Sequence, residues 1–460
     1  MNKKFYATLL SVILIISLLS ACGSNSNNNS PAATPKETPK ETPQAAETPK
    51  EKAPDPVTIK FHHWYDDATE KFDVLIEEFN KEYPHITVES VSVATNDANE
   101  AMKQIDLAAA SGEQLDVVIV NSPSNYAQRV GLGLLEPLDA YLEKDGVNFN
   151  DEFSLNTSVD GKFYSFPGKL NEFYVVLNKA HLDEAKLPVP TDWTWDEYMD
   201  YAQKLTQGSG ATKRYGTFFH TWLDYLKLPV FNQVNNSNIV KDDGVTSNMD
   251  NPLFRKALEI RERGINEGSA TPYSDTVTQK LAYRNQYYGG AVSMIMIGSW
   301  TIADSGGGGP VVPEFTTAFA PYPKANAGDP QTTPVGADFV SVHANSKNKE
   351  AAYTFAKWFA TEGLVVQSKY LTSWKKVDTA NLVDKLVANT PKPELIDKAS
   401  LMHTISVMVP QNLNIPVAYQ GEVEKAYQTE GEKFLLGDQD IDKTLENAQK
   451  AVQAVIDANK

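Results

Sequence analysis

Val57-Thr58-Ile59-Lys60-Phe61-His62, with the patterned run at 68–83 that Pro84 stops, is the stretch on which the fold turns. Val57, Ile59 and Phe61 alternate with Thr58, Lys60 and His62, the two-residue period of a strand with one face buried. In 68–83, Phe72, Leu75, Ile76 and Phe79 recur at helical spacing. The alternation then repeats. Residues 86–93 predict a strand, 97–110 a helix through Met102, Ile105 and Ala109, and 115–120 a short apolar strand buried on both faces. Strands alternating with helices of this length predict an α/β domain with a largely parallel sheet.

A second set of elements follows. Residues 173–177 read as a strand. Thr194 with Glu197 three residues on forms a capping box, and Tyr198, Ala202 and Leu205 continue one face. Asn251-Pro252 opens a further helix as cap and first residue. Strands are predicted at 291–297, 315–321 and 338–342, with a flexible glycine break at 306–309. Residues 349–360 form a helix with Ala352, Phe355, Ala356 and Phe359 inward. In 440–458, Ile441, Leu445, Ala448, Val452 and Val455 share a stripe.

The N-terminal segment differs in kind. Lys3 and Lys4 precede about 17 uncharged residues, at the short limit for a membrane-spanning helix. A basic start, an apolar middle and the small-residue exit Leu19-Ser20-Ala21-Cys22 instead describe a signal peptide over 1–21. That exit resembles the lipobox of bacterial lipoproteins, which implies lipidation of Cys22 and a stable membrane anchor. Residues 22–56 are low in complexity, with Thr-Pro-Lys-Glu recurring at Thr34, Thr38 and Thr48. They have almost nothing apolar to bury and read as an extended spacer rather than a proline-rich recognition motif.

About 400 residues remain, more than one core usually holds, so two domains are expected. A net charge of −17 disfavours nucleic acid, which needs clustered Lys and Arg. Cys22 is the only cysteine, so the chain has no internal disulfide and no four-cysteine metal site. His62 and His63 lie near Asp66 and Asp67, but neighbours on a strand point to opposite faces and would not share a metal. Gly131 and Gly133 lack the third glycine of a dinucleotide loop, and neither an EF-hand loop, a Gly-x-Ser-x-Gly elbow nor a His-Glu-x-x-His helix occurs. No cofactor and no metal is implied.

Three stretches carry a resemblance. The first runs Gly161-Lys162-Phe163-Tyr164-Ser165-Phe166-Pro167, Val175-Val176-Leu177-Asn178-Lys179, then Pro190-Thr191-Asp192-Trp193-Thr194-Trp195-Asp196-Glu197. The second is Met296-Ile297-Gly298-Ser299-Trp300. The third is Tyr322-Pro323-Lys324, Val335-Gly336 and the helix at 349–359. In order and spacing this set resembles the bacterial extracellular solute-binding proteins of family 1, the sugar-type receptors of ABC importers. Val175-Val176 departs from it where the family often has tyrosine. The resemblance implies a two-lobed periplasmic-binding-protein-like α/β fold of type II, with discontinuous lobes joined by a hinge. Lobe 1 is expected over 57–166 plus 315–361, and lobe 2 over 169–313 plus 363–460. It implies a monomeric, non-catalytic receptor facing the extracellular side, with a carbohydrate ligand and an ABC importer permease as partner.

Ligands of open α/β sheets sit off the carboxyl ends of strands. That rule points to Trp64 and Asp66 after the first strand, Asn121 and Ser122 after Val120, and Trp300 after 291–297. A sugar site wants aromatic platforms with polar partners. Of the seven tryptophans, Trp358 reads as packing, and Trp193 and Trp195 as a staple around a helix start. Trp64, Trp222, Trp300 and Trp374 fall at strand ends or in loops, and Lys169 and Asp338 join Asp66, Asn121 and Ser122 as polar candidates. Each has a structural reading beside the binding one, as a core tryptophan, a cap or a solvated charge. The rival functions are a surface-anchored glycoside hydrolase with paired carboxylates and a receptor for a polyol phosphate or peptide. The cations Lys169, Arg214, Arg255 and Arg284 do not cluster in sequence, which favours a neutral sugar.

Overall fold

In the computed structural model, which describes residues 54–460, the alternating run at Val57 becomes strand β1 (Val57–His63). It lies between β2 (Ile86–Ser92) and β3 (Val117–Val120), parallel to both. The expected helix over 68–83 divides into a single turn, Asp67–Glu70, and α1 (Phe72–Glu82), separated by Lys71 at φ 54°. The cause is Glu70, a buried carboxylate whose partners lie far along the chain. The backbone turns once to deliver it before Phe72, Leu75 and Phe79 face the core. Asp97 caps α2 (Ala98–Ser111) by accepting the Glu100 N–H at 3.0 Å. Ser122 caps α3 (Pro123–Gly131), whose proline fills the first helical turn.

Within the main sheet, parallel pairing holds only for this opening unit and for the pair β5 (Tyr215–Thr217) and β6 (Val292–Gly298). The long strand β4 (Phe166–Asn178) is antiparallel to every strand it meets. These are β6, β7 (Thr317–Ala320), β9 (Val335–Val342) and β10 (Leu371–Thr372). Strand β9 is also antiparallel to β3. The reason is topological: β4 carries the chain away from the first core and β9 brings it back, so the two run oppositely. The sheet order is β2-β1-β3-β9-β4-β6-β5, with β7 and β10 also on β4. All 13 residues of β4 are buried, so no alternation marks its first half in sequence. Its register against β9 shifts between Pro167 and Leu170. There a Cβ on Gly168 would lie 2.9 Å from Val340 Cγ2 and 3.0 Å from the Asp338 carbonyl oxygen, so the strands approach this closely only with glycine.

One apolar core gathers β1 to β3, α1, α2, Phe166, Phe339 and the face of α7 (Lys349–Trp358), including Trp358. Beyond the crossing strands, further apolar clusters fill the two sides of β6, one of them covered by α4 (Trp195–Leu205), and the space among three helices. These are α5 (Pro252–Asn266), α8 (Gln420–Leu435) and α9 (Ile441–Ala458). Thr194 and Glu197 form the expected capping box, Asn251 caps α5, and Trp193 and Trp195 are both buried. The Trp193 Nε1–H donates to the Pro321 carbonyl at 2.7 Å. Helix α8 writes no continuous apolar stripe into the sequence because its buried side carries Glu430 and Gly431. A Cβ on Gly431 would meet Leu226 Cδ1 at 2.6 Å.

Residues 54–460 form one compact unit. Among the described residues no helix is long and apolar enough to cross a membrane. The leader, Cys22 and the spacer as far as residue 53 lie outside the described residues.

Candidate functional site

Two groups of side chains gather where β4 and β9 cross. The first is polar. Lys169 Nζ lies 2.9 Å from Asp338 Oδ2, and the Tyr65 hydroxyl donates to the same oxygen at 2.5 Å. Asn171 Nδ2 donates to Asp338 Oδ1 at 3.3 Å. The ammonium of Lys169 also sits 5.1 Å from the Tyr65 ring centre and 4.8 Å from that of Tyr370. Glu70 fixes Tyr370 from behind. Its Oε1 accepts the Tyr370 hydroxyl and Lys369 Nζ, both at 2.7 Å, and its Oε2 accepts Gln367 Nε2 at 2.7 Å. Burial, and then the facing Asp338 or Glu70 carboxylate, hold both tyrosine hydroxyls far above their ordinary range, so they remain donors.

The second group is aromatic. Trp222 and Trp300 have ring centres 6.2 Å apart, and Trp222 lies 5.7 Å from Tyr283 and 4.3 Å from His220. Phe173 meets Trp300 edge-on at 5.4 Å and Phe231 at 5.1 Å. The Trp300 Nε1–H donates to the Tyr283 hydroxyl at 3.2 Å. Tyr283 and Phe173 are buried while Trp222, Trp300 and His220 are half-buried, so the group presents aromatic surface outward. Burial lowers the His220 imidazole to about 4, which leaves it neutral near pH 7. Gly298 is the local reason for the Trp300 pose: a Cβ there would lie 1.8 Å from Trp300 Cζ3, so the indole folds back over the strand end only because position 298 has no side chain.

A polar wall stands beside this group. Gln420, Glu424, Gln428 and Glu432 recur every four residues on α8 and so share a face. Gln428 Nε2 donates to the Thr221 carbonyl, one residue before Trp222, at 3.4 Å, and to Glu432 Oε1 at 2.9 Å. Tyr273 also donates to Glu432, at 3.1 Å. A cavity of about 430 Å³ is lined by Glu424, Lys425, Gln428, Thr429 and Glu432. At its edge Ser124 of α3 donates to Glu424 Oε1 at 2.7 Å, and burial raises the Glu424 carboxyl.

The structure thus brings Lys169 to Asp338 and Trp222 to Trp300. Asn121 bonds Asn99 at 2.9 Å and Asn125 at 2.8 Å, at the end of β3. Ser122 and Asp66 are engaged as helix caps. The Thr69 N–H, foremost, lowers the Asp66 carboxyl. Trp64 is buried in the first core, and Trp374 packs against that core with Nε1 donating to Glu152 Oε2 at 3.0 Å. His63 is bonded to Ser90 at 2.7 Å, and no group of three or more His, Cys, Asp or Glu among the described residues is disposed to hold a metal ion. Sequence reasoning missed Tyr65, Glu70, Tyr370, His220, Tyr283 and the α8 face. Only the last left a readable signal, its four-residue polar spacing.

The family model described as bacterial extracellular solute-binding protein matches residues 65–365. Among solved structures, an ABC substrate-binding protein from Listeria monocytogenes in complex with cycloalternan is 20% identical with a TM-score of 0.72, covering 88% of this chain and 100% of that one. A sugar transporter from Rhizobium etli, in an open conformation, is 23% identical with a TM-score of 0.67 over 86% of this chain and 99% of the other. UgpB from Mycobacterium tuberculosis, in complex with glycerophosphocholine, is 19% identical with a TM-score of 0.69 over 88% and 100%.

Proposed function

The chain belongs to the bacterial extracellular solute-binding protein family, and from that premise we propose that it captures a neutral carbohydrate, in particular an oligosaccharide, and delivers it to the permease of an ABC importer. Its fold is the two-lobed α/β architecture of periplasmic binding proteins. In this reading the lobes are 57–166 plus 315–361 and 169–313 plus 363–460, hinged at the β4–β9 crossing. The observation that carries the proposal is the half-buried Trp222–Trp300 pair, backed by buried Tyr283, with the polar α8 face and its open cavity of about 430 Å³ joined to it through Gln428 and Thr221. Tryptophan faces stack on the C–H faces of a sugar ring, while Gln428, Glu432 and Glu424 supply partners for its hydroxyls. Asn121 faces the same task from the end of β3, and the Lys169–Asp338 pair forms the polar floor.

The charge arrangement disfavours an anionic solute such as a polyol phosphate. Lys169, Arg284 and Lys227 are already matched to Asp338 at 2.9 Å, Asp304 at 2.7 Å and Asp224 at 3.6 Å. A phosphate would have to displace these carboxylates. The chain acts as a binder without catalysis, as a monomer. Closure follows from the extra affinity of the ligand for the closed state. The Leu-Ser-Ala-Cys exit supports a lipid anchor at Cys22 and, with the spacer, an extracellular receptor tethered to the membrane.

A thermal-shift and tryptophan-fluorescence screen of mono- and oligosaccharides, with glycerol phosphodiesters as the contrasting set, tests the reading. A neutral oligosaccharide that raises the melting temperature and quenches the indoles is the expected result. A response confined to the phosphodiesters, or turnover of a sugar by the purified protein, would replace it.

A further inference from the structure

Residues 409–418 follow a path that neither the proposed ligand nor the hinge accounts for. The chain leaves the second side at Met408, buried in the cluster on β6. Strand β11 (Val409–Pro410) then pairs in parallel with β8 (Thr332–Thr333), which directly precedes the crossing strand β9. Gln411 fixes this root: its Nε2 donates to the Phe231 and Gln233 carbonyls at 2.9 and 2.8 Å. Leu413 next packs against both the first core and the β6 cluster, and Ile415 packs against the first core alone. Ala418 meets α3, where a Cβ on Gly131 would lie 2.7 Å from the alanine Cβ. Val417 and Tyr419 return the chain to the helical cluster, and Ser124–Glu424 lies just beyond.

We propose that 409–418 is a strap that holds the two sides of the molecule together without ligand, through Leu413, Ile415 and the Gly131–Ala418 contact, and must lift off the first core for the cleft to open. Its construction suits that role. It has no helix, and its backbone pairing with β8 ends where the Gln411 N–H donates to the Thr333 carbonyl at 3.0 Å. Its middle is held to the first core by side-chain packing alone, with Asn414 Nδ2 donating to Asp242 Oδ1 of the second side at 3.5 Å. Pro410 and Pro416 fix φ near both ends and favour extended backbone before them, so the strap stays straight when released and little order is lost. Its root on β8 is one residue from β9, and Thr333 donates to the Phe173 carbonyl of β4, so movement of the strap is passed directly to the crossing strands. Gly131 is the fit point: a bulky side chain there would wedge the strap away from α3, whereas a disulfide needs the two Cβ atoms only about 1 Å further apart than the 2.7 Å found here.

The test needs no ligand. In the full chain carrying Cys22→Ala, Leu413→Ser with Ile415→Ser removes the apolar attachment. The expected result is a larger radius of gyration by small-angle scattering, with amide exchange in 123–131 and 420–424 faster by about tenfold or more, while exchange in β1 and β6 is unchanged. In a second variant, Gly131→Cys with Ala418→Cys, oxidation should keep the radius at its compact value and slow the same amides, and reduction should reverse both. Unchanged radius and exchange in the serine variant, or an oxidised pair whose amides exchange as in the parent, would overturn the strap.

Discussion

The polar floor and the aromatic group meet on β4, through Lys169 and Asn171 for one and Phe173 for the other, yet they are built by opposite rules. On the floor every charge is answered: Lys169 by Asp338, Asp338 again by Tyr65 and Asn171, Glu70 by three donors. The aromatic group is only half enclosed, with Trp222 edge-on to buried Tyr283, Trp300 edge-on to buried Phe173, and both indoles half-buried. A satisfied buried network fixes geometry and gains little from a newcomer, whereas an open indole face has an unmet contact. The difference teaches that charge at the centre of this molecule serves rigidity, and that in the proposed reading recognition falls to the rings.

The most severe way to break that contrast is Asp338→Ala, which leaves Lys169 buried without its counter-ion. A loss of about 3–5 kcal/mol is expected in denaturant unfolding, whereas Lys169→Met with Asp338→Leu should recover most of it. If Asp338→Ala spared stability but abolished sugar binding, the floor would be a recognition element instead. Glu172, between Asn171 and Phe173, belongs to neither rule: it is buried, and burial alone pushes its carboxyl up to about 7. Between the ordinary value of 4.5 and about 7 the folded chain therefore holds more proton than the unfolded one. Its contribution to stability is lost as the pH rises through that window and stays lost above it. Glu172→Gln should flatten this slope and gain roughly 3 kcal/mol at pH 8, read from urea unfolding at pH 4.5 and pH 8.

Smaller effects sharpen the aromatic side. Gly298→Ala forces the Trp300 ring off the strand end and should cost about 1–3 kcal/mol of stability as overpacking, with weaker sugar binding. Trp300→Ala should weaken binding by more than about 1 kcal/mol, and an unchanged dissociation constant in titration calorimetry would return that indole to a packing role. Trp374→Phe, next to the first core, should leave the same constant within about 0.5 kcal/mol.

The opening β-α-β units were legible because each buries one face and so writes a period into the sequence. Strand β4 did not, since burial on both sides erases alternation, and only its 173–177 half could be read. The site was legible in its parts and not in its grouping. Trp64 and Trp374 sit after strands and in loops just as Trp300 and Trp222 do. What separates them is which tertiary surface each meets, the first core for one pair and the apolar clusters on β6 for the other. Glu70 and Tyr370 could not be joined by any local rule, because their bond spans 300 positions.

Strand β4 also has a consequence for how the chain acquires its structure. Its partners on β6 and β9 come roughly 120 and 170 residues after it, and contacts so distant in sequence make for slow folding. The middle of the sheet is completed only once the chain has reached Val342 of its 460 residues. Until those distant partners have been made, the chain lacks its paired central strand, and the two sides of the molecule have no shared sheet to join them.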